Sequence, residues 1–452
     1  MPVTGKVVAD MKTEESAGVA RLGSAIAANG EPRADATGAQ LADRHRHGGG
    51  ADRLPLTREC PFDPPEAYKR LRVEDPVSRL AFPDGSTGWL VSRYGDVRSL
   101  LADPRMSSAR GLRTNPIREL PPEAEELMRI QPGQFIFMDP PEHTRYRRLL
   151  TGQFTVRRMN ALAPRIERIV ADHLDAMTQM TPPVDLVQAF TLPVPSLVIC
   201  ELLGVPYADR EMFQQRSRAL LSMNTDVEIL MKVRQQMQDY MLDLVREKRR
   251  RPADDLLSGL IQRDSPEGDL SDEELVNIGN LLLVAGHETT ANMLALGTLT
   301  LLQHAEQLDA LRDDPALIDR AVEELLRYLT IVQFGLVRTA LEDIEVGGQW
   351  IRAGEPIVAA LASADRDPAH FPDPDEVDVT RAYSPHLAFG HGVHQCLGQQ
   401  LARVEMKAGF RGLFECFPSL RLAVPLEQIR MREDTFVYGV QELPVSWDAD
   451  RR

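Results

Sequence analysis

Apolar residues recur at three- and four-residue spacing along most of the chain, predicting helices near 142–158, 164–178, 207–250, 272–305, 317–329 and 397–415. No proline interrupts the run from Ser271 to Gln303, so one helix of about 32 residues and roughly 48 Å is expected there. Two stretches alternate instead. RLAFPDGSTGWLVSRY, 79–94, reads as a hairpin turning at Asp84-Gly85, and EDIEVGGQWIRAGEPIV, 342–358, as another turning at Gly347-Gly348. The pattern is mainly α with a small β lobe, and no internal repeat is visible. Residues 1–54 carry no sustained period and are rich in Ala, Gly, Arg and Asp, which predicts a disordered tail before one large domain over 55–452.

Two helix starts are legible from capping chemistry. In Asp139-Pro140-Pro141-Glu142, Asp139 is placed to cap and Glu142 falls at the reciprocal position. Ser271-Asp272-Glu273-Glu274 has the same form.

With 52 basic and 67 acidic residues the formal charge is −15. That balance argues against a nucleic-acid or anionic-membrane partner, both of which call for a basic footprint. No apolar stretch approaches the ~20 residues needed to cross a bilayer. Asp10, Lys12, Glu14 and Glu15 interrupt any secretory apolar core, so a cytoplasmic address is expected. Cys60, Cys200, Cys396 and Cys416 lie far apart without a CxxC pair, which removes disulfide frameworks and zinc or iron–sulfur spacings from consideration.

One cysteine stands apart by its neighbours. FGHGVHQCLG, 389–398, precedes a helical pattern, and a helix starting beside a thiol supplies the positive potential that a thiolate needs. Gly390 and Gly392 permit turns closed to other residues and let backbone approach a flat ligand, while Phe389 can shield the sulfur. A second unusual segment is LLLVAGHETTANML, 281–294, where polar residues break an apolar helix and must have partners or a task. By local chemistry alone, Thr289 could simply bond back to the carbonyl of Ala285. In EELLR, 323–327, Glu324 and Arg327 share a helix face, which fits an ordinary surface ion pair as well as a buried one.

Phe389, Gly392, His394, Cys396 and Gly398 fit every position of F-x-x-G-x-H/R-x-C-x-G, and the chain here resembles the cytochrome P-450 family. The resemblance extends from about residue 54 to Trp447. It implies the cytochrome P-450 fold, haem b as cofactor, Cys396 as the axial ligand of its iron, and a thiolate that pushes electron density toward O–O cleavage. LLLVAGHETTANML matches the family's A/G-G-x-D/E-T motif, implying a widened helix turn at Ala285 beside the oxygen pocket, with Thr289 holding water there and Glu288 relaying protons. The E-x-x-R match implies that Glu324 and Arg327 form a buried brace, with Arg381 as its third member. His143, Arg147, Arg338 and His394 are implied partners of the haem propionates, and Phe389, Gly390 and Ala285 lie against the cofactor. At SADRDP, 363–368, the chain has Asp365 where family members often have Asn.

The resemblance also implies a monomeric monooxygenase that inserts one atom of O2 into a small hydrophobic organic substrate, in the manner of actinomycete enzymes of secondary metabolism. The chain holds no flavin, nicotinamide or iron–sulfur motif, so electrons from NAD(P)H are expected through a ferredoxin and ferredoxin reductase. Arg145, Arg148, Arg403 and Lys407 are candidate contacts for an acidic ferredoxin. Segments 106–137, 206–240 and 436–439 are the expected substrate-facing regions. A peroxide-driven enzyme and a catalytically silent haem binder are the competing readings, and neither needs the Glu288–Thr289 pair.

Overall fold

The computed structural model describes residues 51–112, 114–119, 129–263 and 268–448. The expected tail lies outside the described residues up to residue 50. From Leu54, which is buried, the chain enters the core, and Asp52 accepts a backbone hydrogen bond from Ala81 at 2.8 Å.

Helices α1 (Ala67–Glu74) and α2 (Tyr94–Ala102) precede α3 (Glu142–Thr151) and α4 (Val156–Thr178). Next come α5 (Pro193–Leu203), α6 (Arg210–Leu221), α7 (Val227–Arg250) and α8 (Leu256–Ile261). The long α9 (Asp272–Gln303) is followed by α10 (Ala305–Asp313), α11 (Ile318–Leu329), α12 (Leu361–Ala364) and α13 (Gln399–Cys416). Strands β1 (Val77–Ala81), β2 (Thr87–Val91), β3 (Met106–Ser107), β5 (Leu336–Ala340) and β8 (Pro356–Ala359) form one sheet in the order β1-β2-β8-β5-β3, parallel only between β2 and β8. β4 (Val184–Asp185), β10 (Pro444–Ser446) and β9 (Arg421–Leu422) make a small second sheet, and β6 (Ile344–Val346) pairs with β7 (Gln349–Ile351). The helices share one apolar core, while the sheet closes two smaller clusters against α1 and α2. This is mainly α architecture with a small β lobe.

Both hairpins form at their expected turns. Gly85 sits at φ +85°, and Gly347 and Gly348 at +54° and +82°, a left-handed pair that matches the twist of a two-residue connection. The capping box also forms. Ser271 Oγ accepts from Glu274 N at 3.2 Å, and Glu274 Oε2 accepts from Ser271 N at 2.7 Å. α9 then runs 32 residues without a break.

Three expectations are corrected. Asp139 does not cap α3; its carboxylate accepts from Ser108 N at 2.7 Å and from Ser107 Oγ, tying the helix entry to β3 instead. The helix expected over 142–158 stops at Thr151, and Thr155 caps a new one, accepting from Arg158 N at 3.3 Å. The span 207–250 is broken between Leu221 and Val227.

The E-x-x-R pair is a buried brace. Arg327 donates to Glu324 through Nε and Nη2, both at 2.8 Å, and Arg381 Nε donates to the same carboxylate at 3.0 Å. Asp378 N adds a further bond at 3.0 Å. Glu324 and Arg327 are 3% and 2% exposed, which removes the surface-pair reading. Losing one partner leaves the other charge buried without compensation, so Glu324→Ala is expected to cost about 3–5 kcal/mol in denaturant unfolding and to leave little haem-loaded protein. A midpoint and haem content like those of the wild type would contradict the brace.

Candidate active site

The cysteine loop is shaped by two left-handed glycines. Gly390, at φ +68°, donates to the carbonyl of Leu387 at 2.7 Å. Gly392, at φ +74°, lies so close to α2 that a Cβ would come within 2.3 Å of the Leu101 carbonyl oxygen, so no side chain fits there. Cys396 N returns to the carbonyl of Phe389 at 2.9 Å, closing the loop, and α13 begins three residues later. Backbone N–H groups of Gly398 and Gln399 donate to the cysteine sulfur, and Arg147 and Arg403 add positive potential. Burial outweighs all four and raises the thiol above its ordinary value, so the free thiol stays protonated until something cationic displaces the proton. Arg403 also lies over the Phe389 ring at 4.6 Å.

Cys396 keeps exposed surface although protein atoms surround it, so that surface faces a hollow rather than bulk water. Ala285 is likewise exposed on α9, between half-buried Val284 and Gly286. Gly286 packs against Ile199, where a Cβ would meet its Cδ1 at 2.8 Å.

At the loop's side, α3 presents His143 and Arg147 on one face. His143 is buried and neither ring nitrogen has a hydrogen-bond partner. Burial, helped by Arg147, pushes its pKa down to about 4, so the ring is neutral at physiological pH. Its centroid is 4.1 Å from that of His394. Arg147 donates to the carbonyl of Gln395, beside the cysteine. Arg338, on β5, is buried and donates to the Val337 carbonyl at 2.9 Å. A buried histidine without partners and Arg147, next to an exposed thiol, form a donor set suited to a flat group with a metal centre and acidic arms.

On α9, Thr289 Oγ1 donates to the Ala285 carbonyl at 2.8 Å, the back-bonded geometry that local chemistry allowed. The helix is α-helical through this turn, so the widened turn expected at Ala285 is not seen. Glu288 is fully buried and turned toward cations that the sequence did not reveal. Arg432 Nη1 donates to Oε2 at 2.8 Å, and Arg218 Nε lies 3.7 Å from Oε1. Burial alone would raise this carboxyl; the two arginines outweigh it and hold it below its usual range, ionised. A buried acid predicts a counter-charge, but nothing in the sequence says which of many arginines supplies it. His287 is buried, with Nδ1 bonded to the Leu283 carbonyl at 2.7 Å and its ring edge-on to Phe213.

The Asp365 departure has a clear geometry. Its carboxylate accepts from Leu387 N at 2.7 Å, just before the cysteine loop, and from Thr330 Oγ1 at 2.8 Å at the end of α11. Among the candidate docking cations, Arg145 pairs with Glu274, Arg403 grips Glu323 through two nitrogens, and Lys407 pairs with Asp319. Arg148 remains exposed. The three expected substrate regions converge. Arg118 donates to the Met223 carbonyl, Met223 N to that of Asp434 at 2.8 Å, and Phe436 stacks edge-on to Phe334. Met237 is plain core filling in α7.

A model of the family described as Cytochrome P450 matches residues 210–447. The chain is 48% identical over 389 residues to Cytochrome P450-SU2 of Streptomyces griseolus, covering 86% of this chain and 94% of that protein. It is 48% identical over 394 residues to pentalenic acid synthase of Streptomyces avermitilis, covering 87% and 97%. Among solved structures, that of CYP105P1 in complex with filipin I superposes with a TM-score of 0.83 at 44% identity, covering 89% of this chain and all of that one.

Burial raises the Asp365 carboxyl to about 6, against an ordinary 3.8. The folded state then binds more protons than the unfolded chain between about pH 4 and 6, so this contribution to stability is present below pH 4 and is lost as pH rises to 6. A displacement of that size corresponds to about 3 kcal/mol. Asp365→Asn keeps an acceptor for Leu387 N, and Thr330 can redirect its hydroxyl to the Arg327 carbonyl, which lies 2.9 Å away. The variant is therefore expected to gain stability relative to the wild type as pH rises from 4 to 6, read from urea midpoints. Parallel pH–stability curves would contradict this.

Proposed function

The chain belongs to the cytochrome P450 family and is a haem monooxygenase, and from that premise we propose that it hydroxylates or epoxidises a bulky apolar natural product with electrons from a ferredoxin and its reductase. The observation that carries the residue assignment is the constellation around Cys396: a loop-held thiol receiving two N–H groups, with Arg147 beside it and partnerless His143 on the same helix against His394. Haem, when bound, supplies the activation of O2 and the one-electron chemistry.

The chain's own residues do the rest. Cys396 would hold the haem iron as a thiolate, which the Gly398 and Gln399 N–H groups with Arg147 and Arg403 would stabilise. His143, Arg147, Arg338 and His394 would hold the propionates, which would give the N–H of the neutral His143 ring an acceptor. Phe389, Gly390 and Ala285 would pack against the haem. Glu288, ionised beside Arg432 and Arg218, accepts protons from the solvent side and passes them toward Thr289, whose hydroxyl exchanges its bond to Ala285 for one to water. The segments joined at Met223, Arg118 and Phe436 border the substrate. Relatives whose names carry pentalenic acid and filipin I support an apolar polycyclic or macrocyclic natural product. The Glu288–Thr289 pair favours O2 over peroxide as the oxidant.

Thr289→Ala is expected to lower product formed per NAD(P)H by about 10- to 100-fold with ferredoxin and reductase, while leaving peroxide-driven turnover nearly unchanged. Equal coupling in mutant and wild type would remove Thr289 from proton delivery. Cys396→Ser should abolish the reduced-plus-CO absorption band typical of thiolate ligation.

A further inference from the structure

The reading of Glu288 as a proton relay, on which this inference rests, leaves two atoms at the centre of α9 unexplained. His287 Nδ1 lies 2.7 Å from the Leu283 carbonyl oxygen. A carbonyl only accepts, so Nδ1 carries the hydrogen and Nε2 of the neutral ring presents a lone pair. That nitrogen is fully buried and accepts nothing. It lies 3.9 Å from Glu288 Oε1, which also accepts nothing. The other carboxylate oxygen is taken by Arg432.

Two buried acceptors therefore face each other with no donor between them. Their separation is too long for a direct hydrogen bond and suits one water that donates to both at about 2.8 Å. Neither partner supplies the missing hydrogen: burial keeps the imidazole neutral, and Arg432 and Arg218 keep the carboxyl ionised. Phe213 holds the imidazole edge-on, and Ser217, one turn further along α6, is buried with its hydroxyl unbonded. Arg218, from the same helix, and Arg432, from the C-terminal segment, are the charges facing the pair.

We propose that His287 is a positioning residue that holds one donor water against Glu288 Oε1, with both water hydrogens on acceptors and its lone pairs turned to the incoming proton. A proton from solvent hydronium forms a new O–H bond at that water while the hydrogen aimed at Glu288 passes to the carboxylate. The water is left neutral, and the carboxyl carries the proton onward.

Imidazole nitrogen NMR on the reduced, CO-bound holoprotein tests the geometry without turnover. His287 should show the Nδ1–H tautomer with a bare Nε2 from pH 6 to 8 and magnetisation transfer from a bound water; a hydrogen on Nε2 would overturn the proposal. His287→Phe keeps the ring contact with Phe213 but loses the acceptor. It should lower product per NAD(P)H by about 3- to 10-fold and enlarge the solvent deuterium isotope effect at unchanged haem content, with His287→Gln restoring most of the loss. Glu288→Gln is measured alongside. If it leaves coupling intact, the relay reading itself fails; if it uncouples and His287→Phe does not, only the water bridge fails. Should His287→Phe not fold, His287→Gln and the wild-type NMR decide.

Discussion

A guanidinium that loses all contact with water must find an acceptor for each of its five N–H groups, and Arg327 does so. Glu324 takes two, and the carbonyls of Asp365, Pro374 and Glu376 take the other three. Those acceptors come from α11, the turn after α12, and the long connection toward the cysteine loop. Satisfying one side chain therefore fixes three segments relative to one another. Arg381 closes the same carboxylate from the connection itself and bonds the carbonyls of Pro372, Asp373 and Glu376.

The cysteine loop hangs from this network. Asp365, whose carbonyl serves Arg327, uses its carboxylate to hold Leu387 N, two residues before Phe389. Its neighbours act on other elements. Arg366 joins Tyr328, Phe62, Asp63 and Asp375, and Asp367 caps the backbone of Tyr94 at the start of α2. α2 then provides the Leu101 carbonyl against which Gly392 must be a glycine. The loop that presents Cys396 is thus held at Leu387 by a buried hydrogen bond and at Gly392 by close packing on α2, a rigidity suited to fixing a metal ligand.

Electrostatics in this acidic protein are organised locally rather than by net charge. Cations near the cysteine side are mostly engaged internally, Arg403 by Glu323 and Lys407 by Asp319. Arg403 also serves the sulfur and the Phe389 ring, so its charge works inward. Buried Glu288 is kept ionised by arginines from α6 and the C-terminal segment, so three elements meet at its carboxylate.

The sequence by itself determined what depends on residues a few positions apart. The Ser271–Glu274 box set the start of α9, paired glycines set both hairpin turns, and the spacing of Phe389, Gly392, His394 and Cys396 marked the loop and the family. Tertiary structure decided what depends on contacts across the chain. Asp139 had the form of a cap but is drawn to Ser107 and Ser108, because a strand placed beside it offers shorter bonds. Glu324–Arg327 was ambiguous between surface and core until burial settled it. The partners of Glu288 lie 70 and 144 positions away, and Asp365 reaches Leu387 only because Arg327 has already gathered the segments. Capping and turn energies act within one or two turns of chain. Buried charge is compensated by whatever the packed fold brings near, and no local pattern encodes that choice.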